Sequence, residues 1–262
     1  MKSNKIKPLV AAVALAVSGT AFAAFDGSAG NSSVLFNAYE SVSGYSFALD
    51  TGLRKDDITS SFSGLSVNLA NDANWNSFLS HVGSAHLADI RWNVIAADTN
   101  AGSVDGDPVS YLTTGPADGV PAGTRNAQLN SWGGNFNSYV TASGNWGATG
   151  FENGNSTLHL KEGPADYASF EVAEGNNWNT KSNFDTTAGL GGSLSFYEIT
   201  KNGVPVTNVV NAELLGKVTL SESGALAISS VSPIPEADSW AMLLAGLALV
   251  ATIARRRSVS PA

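Results

Sequence analysis

Apolar and polar positions alternate early in this chain. In "SGYSFALD", Tyr45, Phe47 and Leu49 alternate with Ser46 and Ala48. A period of two marks a strand with one face turned inward. "SVLFNAYES" just before it carries Leu35, Phe36 and Tyr39, and the "SVSG" between them reads as a turn. The two segments therefore predict a β-hairpin. "GLSVNLA" repeats the alternation with Leu65, Val67 and Leu69. "DIRWNVIAAD" reads as a strand, with β-branched Val94 and Ile95 and with Trp92 suited to a half-buried pleated surface. "TLHLK" and "ASFEVA" are shorter strand candidates. Near the end, "GSLSFYEIT", "LLGKVTL" and "ALAISS" are strands joined through "TKNGVP" and "SESGA", both suited to hairpin turns.

The period changes twice. Trp75, Phe78, Leu79 and Val82 stand at i, i+3, i+4 and i+7, which places them on one helical face. Asn71 or Asp72 is placed to cap this helix and Gly83 to end it. Leu129, Trp132, Phe136, Tyr139 and Val140 show the same spacing. Gly133 and Gly134 within that run each cost about 1 kcal/mol in a helix interior. "TNAGSVDGDP" and "TTGPADGVPAGT" read as loops. Strands at both ends of the body with helices between them predict a mainly β fold. The expected form is an antiparallel β-sandwich with one or two inserted helices, spanning residues 24–231.

The two ends follow other rules. At the start, Lys2, Lys5 and Lys7 precede an apolar run from Leu9 to Val17, and "TAFA" follows. Ala21 and Ala23 then occupy the −3 and −1 positions of a signal-peptidase site, so residues 1–23 read as a secretory signal peptide. At the other end, residues 232–262 contain "PIPEADSWAMLLAGLALVATIARRR". Trp240 to Ala254 is apolar apart from Thr252 and is followed by Arg255, Arg256 and Arg257. As a hydrophobic helix it would be about 22 Å long, short of the roughly 30 Å hydrocarbon core but insertable with local thinning. The arginines keep the C-terminus cytoplasmic and the body outside.

This tail resembles the PEP-CTERM sorting signal of Gram-negative bacteria, in which a Pro-Glu-Pro motif, a transmembrane run and an Arg cluster follow one another. Pro235 and Glu236 match the first two motif positions, and Ala237 stands where the family has its second proline. Arg255, Arg256 and Arg257 match the basic stop. The resemblance implies handling by an exosortase after the signal peptidase. It also implies transient anchoring in the inner membrane and delivery to the cell surface or the exopolysaccharide matrix of a biofilm. "VLFNAYESVSGYSFALDTGL" and "GGSLSFYEIT" resemble body sequences of such proteins, which carry no assigned activity.

Composition narrows the chemistry. The chain has 262 residues, 14% of them charged, and no Cys. An exported body therefore lacks disulfides, thiol nucleophiles and Cys-based metal sites. Without residues 1–23 and those after Glu236, 8 basic and 21 acidic residues remain, a net charge of −13. That balance excludes the basic footprint of a nucleic-acid-binding protein. His81, His86 and His159 lack the i, i+4 spacing of a zinc helix, so no metal is expected on them. No P-loop or G-x-G-x-x-G fingerprint occurs, and "GGSLS" fails the nucleophile-elbow pattern, so no catalytic residue is assigned and no enzyme is expected. Asp105 and Asp107 in "DGDP" could ligate Ca²⁺, although an Asp-Gly turn accounts for them more simply, and no cofactor is expected.

Trp75 and Trp132, on apolar helical faces, read as core. Trp146 and Trp178, in "SGNWGA" and "GNNWNT", are candidates for stacking on sugar rings. The expectation is a non-enzymatic surface or matrix protein. A carbohydrate-binding module is the alternative, and a surface hydrolase stands third.

Overall fold

The computed structural model describes residues 30–58, 62–98, 109–133, 136, 156–160 and 182–230. The signal segment, the sorting tail, "ASFEVA", Tyr139 and Val140 lie outside them. The expected hairpin is present, with β1 (Ser33–Tyr39) and β2 (Tyr45–Arg54) pairing antiparallel and Phe36 opposite Leu49. β3 (Leu65–Asn68) and β4 (Arg91–Asp98) follow as expected. So do β6 (Ser156–Leu160), β8 (Ser193–Thr200), β9 (Asn211–Leu220) and β10 (Ala225–Ser230). A two-residue β7 (Ala188–Gly189) pairs with β4.

β5 (Ser110–Gly115) corrects the sequence reading, which gave Thr113–Gly115 to a loop. Its Thr113 and Thr114 are fully buried. The Thr114 hydroxyl donates to Thr186 O at 2.7 Å and accepts from Val94 N–H at 3.1 Å. These hydroxyls satisfy buried backbone groups, so a polar sequence occupies the middle of the sheet.

The strands are antiparallel and hydrogen-bond in the order β3-β10-β9-β8-β5-β4-β1-β2-β6. This is one continuous sheet where a two-sheet sandwich was expected. Register shifts interrupt the β1–β2 pairing between Ser33 and Leu35 and the β8–β9 pairing between Phe196 and Tyr197. Such bulges sharpen the right-handed twist and let a long sheet curl. At the β9 irregularity, a Cβ on Gly216 would collide with the Ser229 carbonyl oxygen. Glycine is required for β9 and β10 to approach there.

Curling brings distant strands into one interior. Phe36 of β1, Phe47 of β2, Trp92 of β4, Phe196 of β8, Val218 of β9 and Ile228 of β10 share a core cluster. Helix α1 (Ala73–Val82) completes it with Trp75, Phe78 and Val82. Asp72 caps α1 by accepting from Trp75 N–H at 2.9 Å, and Gly83 ends it at φ 73°. The helix reaches both edges of the sheet. Asn74 Nδ2 donates to Ser156 O of edge strand β6 at 3.1 Å. On the other side, the Trp75 indole nitrogen lies 3.1 Å from where a Gly224 Cβ would stand, and Leu69 N–H donates to Gly224 O at 2.8 Å.

The opposite face of the sheet is also covered. Helical residues 126–133, here α2, bring Leu129 and Trp132 onto Leu35, Ile95, Tyr111 and Ile199, and Phe136 joins the same cluster. Trp132 meets Tyr111 edge-on, with ring centroids 5.6 Å apart. Trp75 and Trp132 are core residues, as expected. Trp92 is fully buried where a half-buried position was expected, because both faces of its strand are covered.

Burial raises the Tyr111 phenol pKa well above the usual value near 10, and the Asp98 carboxylate adds to the shift. The folded state thus holds this proton more tightly than the unfolded chain does. Its stabilisation is complete below pH ~10 and falls as pH rises beyond that. Denaturant unfolding from pH 8 to 12, under otherwise fixed conditions, should show stability dropping above pH ~10. Tyr111→Phe should flatten that drop. Separately, Trp75→Ala should cost about 3–5 kcal/mol in urea unfolding, since it empties the centre of the interior cluster. Gly216→Ala should also destabilise, by forcing β9 away from β10.

Candidate functional site

The sorting motif Pro235, Glu236 and Ala237, the basic stop Arg255–Arg257, the signal-cleavage residues Ala21 and Ala23, the sugar-contact candidates Trp146 and Trp178, and Asp105 and Asp107 all lie outside the described residues. No expected site is therefore assembled in the described part. Buried Trp75, Trp92 and Trp132 are unavailable as stacking platforms.

One cluster of titratable groups does converge. Glu40 follows β1 at the start of the turn into β2. Its N–H donates to Tyr45 O at 3.0 Å, and its own carbonyl accepts from Gly44 N–H at 3.1 Å. The carboxylate is fully buried. Its two oxygens accept from Val42 N–H and Ser43 N–H, each at 2.6 Å. The connection from α1 to β4 brings His86 and Asp89 beside it. His86 Nδ1 lies 3.0 Å from an Asp89 carboxylate oxygen, and the ligand-type atoms of all three residues fall within 4.8 Å of one another. Nearby, the ring of His81 at the end of α1 lies on Tyr45, with centroids 4.2 Å apart, and its Nδ1 is 2.7 Å from Ser77 O.

Two carboxylates and an imidazole are a donor set that suits a divalent cation. The hydrogen bonds favour a different role. Both Glu40 oxygens already hold backbone N–H groups of the tight turn, and charge-assisted bonds of that length are strong ones. The His86–Asp89 pair is exposed, so it contributes little even when the imidazole is protonated. Glu40 thus acts first as a clamp on the β1–β2 turn, with the His86–Asp89 pair lying beside it. Sequence reasoning considered His86 only with the other histidines and missed Glu40 and Asp89. Nothing in their spacing signals a cluster formed by chain segments so far apart.

Lys55 and Glu198 make a second polar contact, 2.9 Å across the curled sheet, joining the end of β2 to β8. Lys55 is buried, which makes this pair a tie between the two halves of the sheet. Comparison with protein-family models, with curated proteins and with solved structures finds no match to this chain.

Glu40→Ala should destabilise the protein by roughly 1–3 kcal/mol, since it removes the buried carboxylate that accepts from the Val42 and Ser43 N–H groups. Thermal unfolding should show the same loss with and without a chelator. A wild-type melting temperature that rises with Ca²⁺ or Zn²⁺ and loses that rise in Glu40→Ala would reassign the cluster to cation binding.

Proposed function

We propose that this chain is an exported, non-enzymatic protein of the cell surface or exopolysaccharide matrix. The signal peptidase removes residues 1–23. Residues 240–254 then anchor the protein in the inner membrane with the arginines on the cytoplasmic side, until an exosortase acts at the Pro235–Glu236–Ala237 motif.

The observation that carries this reading is the order at the C-terminal end: motif, apolar run and Arg triplet, in that sequence and within residues 235–257. The positive N-terminal segment with Ala21 and Ala23 supports it independently. The body is consistent with life outside the cell. It is acidic, it has no cysteine to misoxidise, and its cores rest on aromatic packing and internal hydrogen bonds. The described strands also lie between the two proposed cuts. The last strand ends at Ser230, just ahead of the motif, and the first begins at Ser33, after the proposed cut.

Mass spectrometry of the protein recovered from the matrix of exosortase-bearing cells tests the reading. The expected chain begins at Ala24 and ends near the motif. Recovery of a chain that retains Trp240 to Ala262 would falsify tail removal, and a retained Met1 to Ala23 would remove the export signal from the account.

A further inference from the structure

The loop between β8 and β9, residues 201–210, turns outward almost throughout yet is firmly built. Buried Asn126 sits behind it. Its side-chain amide donates to the carbonyls of Asn202, Gly203 and Pro205 at 3.0, 3.1 and 2.8 Å, and its oxygen accepts from Asn202 N–H at 3.0 Å. Arg125 donates to Thr207 O, and Ala127 N–H donates to Val206 O at 3.0 Å. This frame holds apolar side chains in solvent. Val204 is 81% exposed and Val206 51%, and Val209 and Leu214 beside them are also exposed. Among the described residues, the only other exposed large hydrophobic residue is Val42, in the β1–β2 turn.

Strand direction gives this patch its meaning. In an antiparallel sheet of this order, the end of β10 and the start of β9 lie at the same end of the sheet. β10 finishes with Ser230 opposite Gly216. β9 runs on past that register to Asn211 before the loop begins, roughly 17 Å further at 3.4 Å per residue. The loop therefore projects beyond the last paired residue of β10, at the end from which the chain leaves toward the tail. Residues 231–239 reach at most about 30 Å before the apolar run starts at Trp240. A body tethered so closely holds this end toward the bilayer, and the valine loop is the exposed apolar patch of the described residues at that end. Val42 lies at the opposite end.

We infer that the valine loop seats on the lipid headgroup surface while the tail is inserted, with Val204 and Val206 entering the interface and Lys201 and Arg125 beside them facing anionic headgroups. The contact orients the body over the membrane and holds the motif at a fixed height. This inference rests on the reading of residues 240–254 as membrane-inserted.

The absence of Cys from the chain makes the test direct. Full-length Val204→Cys, Val42→Cys and Leu247→Cys, each carrying one environment-sensitive fluorophore, are reconstituted into vesicles of phosphatidylethanolamine and phosphatidylglycerol. Quenching by spin-labelled lipid is then read. The label at 204 is expected to shift to the blue and lose most of its emission to a shallow quencher. The label at 247 should respond to a deep quencher, and the label at 42 to neither. A responsive 247 with a silent 204 overturns the loop contact and leaves tail insertion standing. A silent 247 overturns tail insertion and the loop contact with it. A blue shift at 204 without lipid quenching reports burial against a second copy and also overturns the proposal, as does equal quenching at 204 and 42.

Discussion

The fold depends on Trp75 filling the interior of a curled sheet that, among the described residues, does not close on itself. Its ring centroid lies 5.2 Å from that of Phe47, 5.5 Å from Phe78 and 6.1 Å from Phe36. A curled sheet that does not close leaves an interior that another element must fill. Here α1 occupies the gap. Asn74 ties it to β6, and Leu69 and Gly224 link its approach segment to the turn before β10. One helix thereby supplies both the apolar centre and the cover for the opening. The Asp72 cap and the Gly83 exit matter because they set where that helix starts and stops.

Polar residues do comparable work elsewhere, which gives physical sense to a chain poor in charge and rich in Asn, Ser and Thr. Asn126 organises a whole loop through one amide. Thr114 joins β4, β5 and the segment before β7 through one hydroxyl. Ser32 is buried, and its oxygen accepts from Ala97 N–H at 2.8 Å. Short neutral side chains can be buried at modest cost when every donor finds an acceptor. Charged ones are buried less easily, and Lys55 is buried only against Glu198. The chain has no cysteine, so these bonds and the two aromatic clusters hold the described body together without disulfides.

Elements with one clear periodicity were legible in the sequence. α1 was readable because its apolar face meets a core while its other face meets solvent, and β1 and β2 because a short turn joins neighbours. β5 was not, because its buried positions are threonines whose polarity is neutralised only by partners far away in sequence. The joining of all strands into one sheet was hidden for a related reason. It depends on the pairings of β3 with β10 and of β2 with β6, which link distant segments, and alternation says nothing about partners. The Glu40 cluster was illegible on the same ground. In contrast, the proposed export and sorting signals are linear motifs, legible in the sequence without knowledge of the fold.

That contrast between linear motifs and long-range fold bears on how the protein would tolerate the proposed processing. β1 enters the sheet and β10 leaves it at the same end, since their directions are opposite in the strand order. Cuts after Ala23 and near Glu236 would both fall outside the described strands. Among the described residues, the interior cluster runs from Val34 to Ile228 and the opposite cluster from Leu35 to Val210. Losing both ends costs the fold no core contact among the described residues. On the proposed reading, the address lies in linear motifs at the two ends, whereas the described body is held together by pairings and packing between segments far apart in sequence.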